Sequence, residues 1–103
     1  GGSSCDFAAG EGLVTIAIQR SRQDLDLAAE TAALRAALPE ASLREASGFG
    51  VRAFFLDLGG AGTQLHLLRG GREHVMVSIL GFGGAREAAL PAARIARKIL
   101  ARL

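Results

Sequence analysis

The chain has 103 residues, of which half are hydrophobic and 21% are charged, with a formal net charge of +2. This composition excludes a disordered chain and predicts one domain with a modest core, for which no metal or disulfide is needed. Because the small charge excess is spread along the chain and no apolar run reaches about 20 residues, we predict neither a nucleic-acid partner nor an integral membrane segment.

The first strands are predicted close to the N-terminus. Residues 1–4, Gly-Gly-Ser-Ser, resemble a linker or an expression remnant, so the predicted domain covers residues 5–103. Residues 5–8 are expected to pair through the glycines at 10 and 12 with the alternating strand 13–19. The single cysteine, Cys5, has no internal disulfide partner. It is interpreted as a small strand residue or, alternatively, as a thiol whose partner lay in a removed N-terminal segment.

A helix follows, because the hydrophobic period changes to that of a helix between Asp24 and Leu38. Ser21 or Asp24 is expected to cap its N-terminus, and Pro39 is expected to end it. Residues 41–49 are interpreted as a connector that leads into the central sheet.

Three strands in series are predicted between Arg52 and Leu80, since runs of Val, Leu, Ile and Phe are separated there by glycines. A three-residue loop at residues 70–72 sorts the side chains of the last two strands better than a two-residue loop does, and it sets Arg69 opposite Glu73. One face then carries Thr63, Leu65, Leu67, Val75, Val77 and Ile79, and the other carries Gln64, His66, Leu68, His74, Met76 and Ser78.

The last predicted element is a helix from about Ala85 to Leu103. Pro91 indicates either that the regular helix starts there or that it is kinked. Its apolar row is Ile95, Ile99 and Leu103, and its basic face is Arg94, Arg97, Lys98 and Arg102. The predicted fold is therefore α+β, with an antiparallel sheet of about five strands in the order ββαβββα and two helices on one face.

The glycine-rich segment between the last strand and this helix is the candidate ligand site. A strand-to-helix turn can hold an anion, because free backbone N–H groups and the helix dipole both point at it. The predicted ligand-binding residues are Gly81, Gly83, Gly84 and Arg86. The plain alternative is an ordinary turn, and no cofactor is predicted.

His66 and His74 are the candidates for metal ligands or for part of a catalytic triad. A zinc site would need Asp57 or Cys5 in addition, and a triad would need Ser78 and Asp57. Neither set has a diagnostic spacing, so we predict no metal, no catalytic residue and no enzyme.

The second sheet face is the favoured functional surface, because a semi-apolar face that helices leave uncovered indicates partner contact. The predicted interface residues are His66, Leu68, His74 and Met76. The leading hypothesis is a non-enzymatic module that binds a protein partner or itself, as a homodimer, through this open face or through a sheet edge. The alternative is a domain that binds a small ligand or anion at residues 81–86.

Several short motifs also carry a resemblance: residues 5–7 (Cys-Asp-Phe), 48–55 (Gly-Phe-Gly-Val-Arg-Ala-Phe-Phe), 68–71 (Leu-Arg-Gly-Gly) and the Ala- and Arg-rich C-terminal helix. Together they resemble secreted or lipid-anchored actinobacterial domains of unknown function. The resemblance implies a binding or accessory domain of the cell envelope and favours an extracytoplasmic location. It implies no catalytic residues, and the chain lacks a lipobox and a second cysteine.

Overall fold

The computed structural model describes residues 2–10, 12–20, 27–37 and 42–103, which form six strands and two helices. In chain order these are β1 (Gly2–Ala9), β2 (Gly12–Arg20), α1 (Leu27–Ala37), β3 (Ser42–Ala46), β4 (Arg52–Asp57), β5 (Gly62–Arg69), β6 (Glu73–Leu80) and α2 (Ala85–Arg102). A single 3-10 turn, Gly59–Ala61, connects β4 to β5. The α+β class and the antiparallel sheet are therefore confirmed.

The strands form one antiparallel sheet in the order β1-β2-β6-β5-β4-β3. The four strands β3 to β6 follow one another as a meander, and β6 then pairs with β2 of the N-terminal hairpin. β3 is the outer strand of this meander, and β2 lies next to β6 at its other end. The chain between β2 and β3, which contains α1, therefore connects distant parts of the sheet. The two strands at the sheet edges are β1 and β3.

The predicted number and order of strands need one correction. Ser42–Ala46, interpreted above as connector, forms strand β3 and pairs with β4, which gives six strands in the order ββαββββα. The segment lacks the apolar alternation of a half-buried strand, and its pairing with β4 comes from tertiary structure. The hairpin β1–β2 is confirmed, and its pairing begins at Gly2, three residues before the predicted strand at residues 5–8.

The predicted register of the β5–β6 hairpin is confirmed. Arg69 lies opposite Glu73, Leu67 opposite Val75 and Leu65 opposite Val77 across the three-residue loop. The Arg69 Nη1 and Glu73 Oε1 atoms are 3.7 Å apart. Hydrophobic sorting of the two faces was therefore sufficient to choose between the two loops.

Helix α2 packs on the face of the sheet that carries Leu65, Leu67, Val75, Val77 and Ile79, which we call the helix face. Its own buried residues are alanines: Ala88, Ala92, Ala93 and Ala96. Small side chains bring the helix axis close to the sheet, while Ile95, Ile99 and Leu103 pack around the edge of this core. The helix begins six residues before Pro91 and continues through it, so the regular helix does not start at the proline.

Helix α1 covers Leu27–Ala37, inside the predicted range of residues 24–38. Its Leu34 side chain is half-buried. The predicted caps at residues 21 and 24 and the stop at residue 39 lie outside the described residues. That both helices share one sheet face therefore stays a prediction for α1. Among the described residues, neither helix combines the length and apolarity needed to cross a membrane.

A charged pair joins the edge strand β3 to β4. Arg44 donates from Nε to Asp57 Oδ2 at 3.1 Å and from Nη2 to Oδ1 at 3.3 Å, and its guanidinium lies 4.4 Å from the ring centroid of Phe55. Thr63 Oγ1 donates to Asp57 Oδ1 at 2.8 Å. Burial alone would raise the pKa of Asp57, but the hydrogen bonds from Arg44 and Thr63 outweigh it and lower this pKa.

We expect Arg44→Ala to lower the free energy of unfolding by about 1 kcal/mol at pH 7, since it removes a bidentate pair and a cation–π contact. The pKa of Asp57 is lowered in the folded chain, so this contribution is present above its ordinary value of 3.8 and is lost as the pH falls through the folded pKa. Urea denaturation at pH 7 and pH 3 measures both effects. The exposed Arg52 is the matched control, and an equal loss in Arg52→Ala would contradict the assignment.

Candidate functional site

The second face of the sheet brings the two histidines together, and we call it the histidine face. It carries Gln64, His66 and Leu68 from β5 and His74, Met76 and Ser78 from β6. β4 adds Phe54, which lies opposite His66. The diagonal placement of the two histidines that the register predicts is therefore confirmed, since His66 faces Met76 and His74 faces Leu68.

The two rings are joined by a hydrogen bond of 2.8 Å between His66 Nδ1 and His74 Nε2. The other nitrogen of His66, Nε2, lies 3.1 Å from Gln64 Oε1. An amide oxygen only accepts, so Nε2 of His66 carries the hydrogen, and the neutral ring must then accept at Nδ1 from His74. The hydrogen bonds run in one direction, from His74 through His66 to Gln64.

His66 is held in its neutral form by its surroundings. It is 3% exposed, and its ring stacks on Phe54 with the centroids 4.9 Å apart. Burial, and to a smaller extent the neighbouring His74, lower the pKa of His66 to about 3. A neutral ring that is almost fully buried, with both nitrogens engaged, is suited to holding the strands together.

The expectation that this face is uncovered is wrong at its centre. Phe54 is 4% exposed, Leu56 is fully buried and Leu68 is 7% exposed within the chain. Of the four predicted interface residues, His66 and Leu68 are therefore buried, and His74 and Met76 are half-buried. A role of this face in partner binding stays a prediction, for which only the half-buried His74 and Met76 of the four residues are accessible.

The side chains considered for a metal or a triad lie on opposite faces of the sheet. Asp57 pairs with Thr63 and Cys5 pairs with Ile16, which places both on the helix face, whereas His66 and Ser78 lie on the histidine face. In the described part of the chain, no group of three or more His, Cys, Asp or Glu side chains could hold a metal ion. Of the side chains predicted for such a site, the structure therefore brings together only His66 and His74.

The glycine-rich turn before α2 already holds an acidic side chain. Gly84 is the N-cap of α2 without a side-chain cap bond, and Glu87 lies in the first turn. A Cβ on Gly84 would lie 3.2 Å from Glu87 Oε2, and one on Gly83 would lie 3.1 Å from Glu87 Cβ. A carboxylate is favourable at the positive end of the helix dipole, so Glu87 takes the place that an external anion would need. Arg86 is exposed beside it.

Strand β1 lies at one edge of the sheet, the second kind of surface that the sequence analysis proposes for partner binding. The described side chains at residues 4–8 of this strand are all exposed, and Phe7 is 58% exposed. At the start of the neighbouring strand β2, the Phe82 ring contacts Gly12 and is 44% exposed. The sequence signal for this site is weak: a short run of small residues with one phenylalanine and one acidic residue does not reveal which strand lies at an edge.

A comparison of the chain with family models, with curated proteins and with solved structures finds no match in any of the three. The class of protein is therefore defined by the fold alone: an α+β protein with a six-stranded antiparallel sheet and two helices. The resemblance to envelope domains stays a prediction.

Proposed function

We propose that this chain is a non-enzymatic interaction module that self-associates by strand addition at β1. The observation that carries the proposal is the open edge of β1, an eight-residue strand whose outer side pairs with no other strand in the described part of the chain. An edge strand presents a row of backbone N–H and C=O groups that can pair with another strand.

The second edge strand is less suited to this role. β3 has five residues, and its exposed side chains include Arg44 and Glu45. Short length and charged side chains are the usual means by which a sheet edge is protected from association. β1 is longer, and Asp6 is the only charged residue within it. Strand addition is therefore expected at β1.

Apolar side chains beside β1 extend the binding surface. On the helix face, Cys5 and Phe7 lie opposite Ile16 and Val14 of β2, and both β2 residues are half-buried. Gly12, at the start of β2, contacts the partly exposed Phe82 ring on the same face. Backbone pairing at an edge gives affinity, and such side chains beside it give specificity.

The two sites predicted from the sequence are less favourable for binding. The centre of the histidine face is buried within the chain, and the carboxylate of Glu87 lies against the turn at residues 81–84. The chemistry available at β1, backbone hydrogen bonding with a short apolar strip, favours a protein strand as the partner.

We expect a concentration-dependent dimer, because pairing along one strand belongs to the class of small interfaces, below about 1,200 Å², that associate weakly. Phe7→Lys should shift the chain to the monomer, since it adds a charge to the edge and removes apolar contact. Light scattering coupled to size exclusion, over a range of concentrations, measures the mass.

Leu90→Lys is the matched control, because Leu90 on α2 is 57% exposed, which is close to the exposure of Phe7. It should associate as the parent chain does. A parent chain that stays monomeric at every concentration, or a Phe7→Lys variant that dimerises as strongly as the parent, would refute the proposed function.

A further inference from the structure

The outward-facing backbone groups of β1 can be assigned by counting from the hairpin loop. In an antiparallel ladder, pairs that exchange both backbone hydrogen bonds alternate with pairs that exchange none. Ala9 and Gly12 are paired across a two-residue loop. In a hairpin of this kind the flanking pair exchanges both hydrogen bonds, and so does every second pair after it. The N–H and C=O groups of Ser4, Asp6 and Ala8 therefore point away from β2, toward a strand added at the edge.

Symmetry then restricts how two copies of β1 can pair. Two antiparallel edge strands are related by a two-fold axis perpendicular to the sheet, and this axis keeps each side chain on its own face. Each symmetric register therefore sets one residue of β1 opposite the same residue of the second copy. The possible centres near the middle of the strand are Ser4, Cys5, Asp6 and Phe7.

The side-chain sizes along β1 favour Cys5 as the centre. The residues before Cys5 are small, Gly-Ser-Ser, and those after it include Asp6 and Phe7. Pairing about Cys5 sets Phe7 opposite Ser3 and Asp6 opposite Ser4, so that each larger side chain meets a small one. It also sets Gly2 opposite Ala8 and uses seven residues of each strand.

The other centres are less favourable. Centring on Asp6 sets two carboxylates directly opposite each other, which is destabilising. Centring on Phe7 opposes two phenylalanines and places the hairpin loop at Gly10 within the paired stretch. Centring on Ser4 pairs only five of the described residues of each strand, residues 2–6, and leaves Phe7 outside this stretch.

We propose that the partner of β1 is a second copy of this chain, paired antiparallel about Cys5, so that two six-stranded sheets join into one of twelve strands. This inference rests on the proposed function and adds the register to it. Because the two-fold axis keeps the faces, Cys5 and Phe7 of both copies lie together on the helix face. The two Cys5 side chains are then directly opposed, with their Cβ atoms about 4.5–5.5 Å apart.

Disulfide formation at the centre of the interface tests this register. Cβ atoms in a disulfide are about 3.5–4.5 Å apart, so opposed cysteines bridge after a small adjustment, whereas cysteines with Cα atoms more than about 7 Å apart do not. The oxidant is diamide: two thiols lose two protons and two electrons to form the S–S bond, and diamide takes them up to become the corresponding hydrazine. Cys5 is the only cysteine of the chain and is exposed.

The experiment compares three chains that each carry one cysteine. These are the parent, Cys5→Ser with Ser4→Cys, and Cys5→Ser with Asp6→Cys. In the proposed register, position 4 of one copy faces position 6 of the other. A thiol introduced at position 4, or at position 6, therefore lies two residues along the strand from the same thiol of the partner. We expect the parent to form the covalent dimer at least about tenfold faster than either variant, because those Cα atoms exceed the bridging distance.

The outcomes separate the register from the proposed function. A dimeric mass together with fastest cross-linking in the variant that contains Ser4→Cys, which removes no charge, would overturn the Cys5 register and leave strand addition at β1 intact. A dimeric mass with equal, slow cross-linking in all three chains would also overturn it. A monomeric mass for the reduced parent would overturn both proposals, whatever disulfide forms on oxidation.

Discussion

Replacing Gly62 by alanine is expected to lower the free energy of unfolding by about 3–5 kcal/mol, since it combines backbone strain with a collision in the core. Gly62 has a φ of 137°, a region that residues with a side chain rarely adopt. A Cβ at this position would meet the carbonyl oxygen of Ile79 on the neighbouring strand. Gly62 starts β5 and is paired with Leu80, so relief of the collision would separate β5 from β6 at this end.

Gly60→Ala is the matched control for this substitution. Gly60 lies two residues earlier in the 3-10 turn, and a Cβ there would meet nothing within 4 Å. Its substitution should change the stability by no more than about 0.5 kcal/mol. Chemical denaturation of both variants and the parent at pH 7 gives the comparison. Equal stabilities for the two alanine variants would show that the close approach at Gly62 does not determine the sheet geometry.

The second large effect is a loss of stability in mild acid, caused by His66. Its pKa is lowered from 6.5 to about 3 in the folded chain. Below pH 6.5 the unfolded chain binds a proton that the folded chain does not, so the stability falls as the pH decreases until it reaches the folded pKa. One pKa unit corresponds to about 1.4 kcal/mol, which gives a loss of about 2–3 kcal/mol between pH 7 and pH 4.5.

Denaturation of the parent and of His66→Gln at pH 7, 6, 5 and 4.5 measures this slope. The amide cannot be protonated in this range, so the variant should lose most of the pH dependence while also being less stable at pH 7, because the stacking on Phe54 is lost. His74→Gln is the control. It should keep most of the slope, since burial is the larger cause of the lowered pKa of His66. The same slope in the parent and in His66→Gln would contradict a neutral, buried His66.

The pH ranges over which Asp57 and His66 lose their contributions to stability overlap only below 3.8. The contribution of Asp57 is lost below its ordinary pKa of 3.8, whereas that of His66 is lost between 6.5 and about 3. Measurements above pH 4.5 therefore report mainly on the histidine face. The Arg44→Ala comparison at pH 3 reports on the edge between β3 and β4.

Part of the histidine face could be predicted from local pattern. The faces of β5 and β6 follow from alternation, and the diagonal histidine pair follows from the chosen register. The hydrogen bond between the rings and the burial of His66 do not follow, because both depend on Phe54 of β4 and on what covers the face. The edge position of β1 could not be predicted either, since sequence order does not determine which strands are neighbours.

The sequence by itself determined the elements whose signals are local. Glycines and alternating apolar residues marked the strands from β4 to β6, and a change of period marked the helices. The tertiary structure alone decided what depends on contacts between distant residues: that the weakly patterned Ser42–Ala46 pairs as β3, that alanines bring α2 close to the sheet, and that β1 remains at an edge. The physical reason is that local propensity acts within a few residues, whereas burial and strand order are set by the free energy of the whole packed sheet.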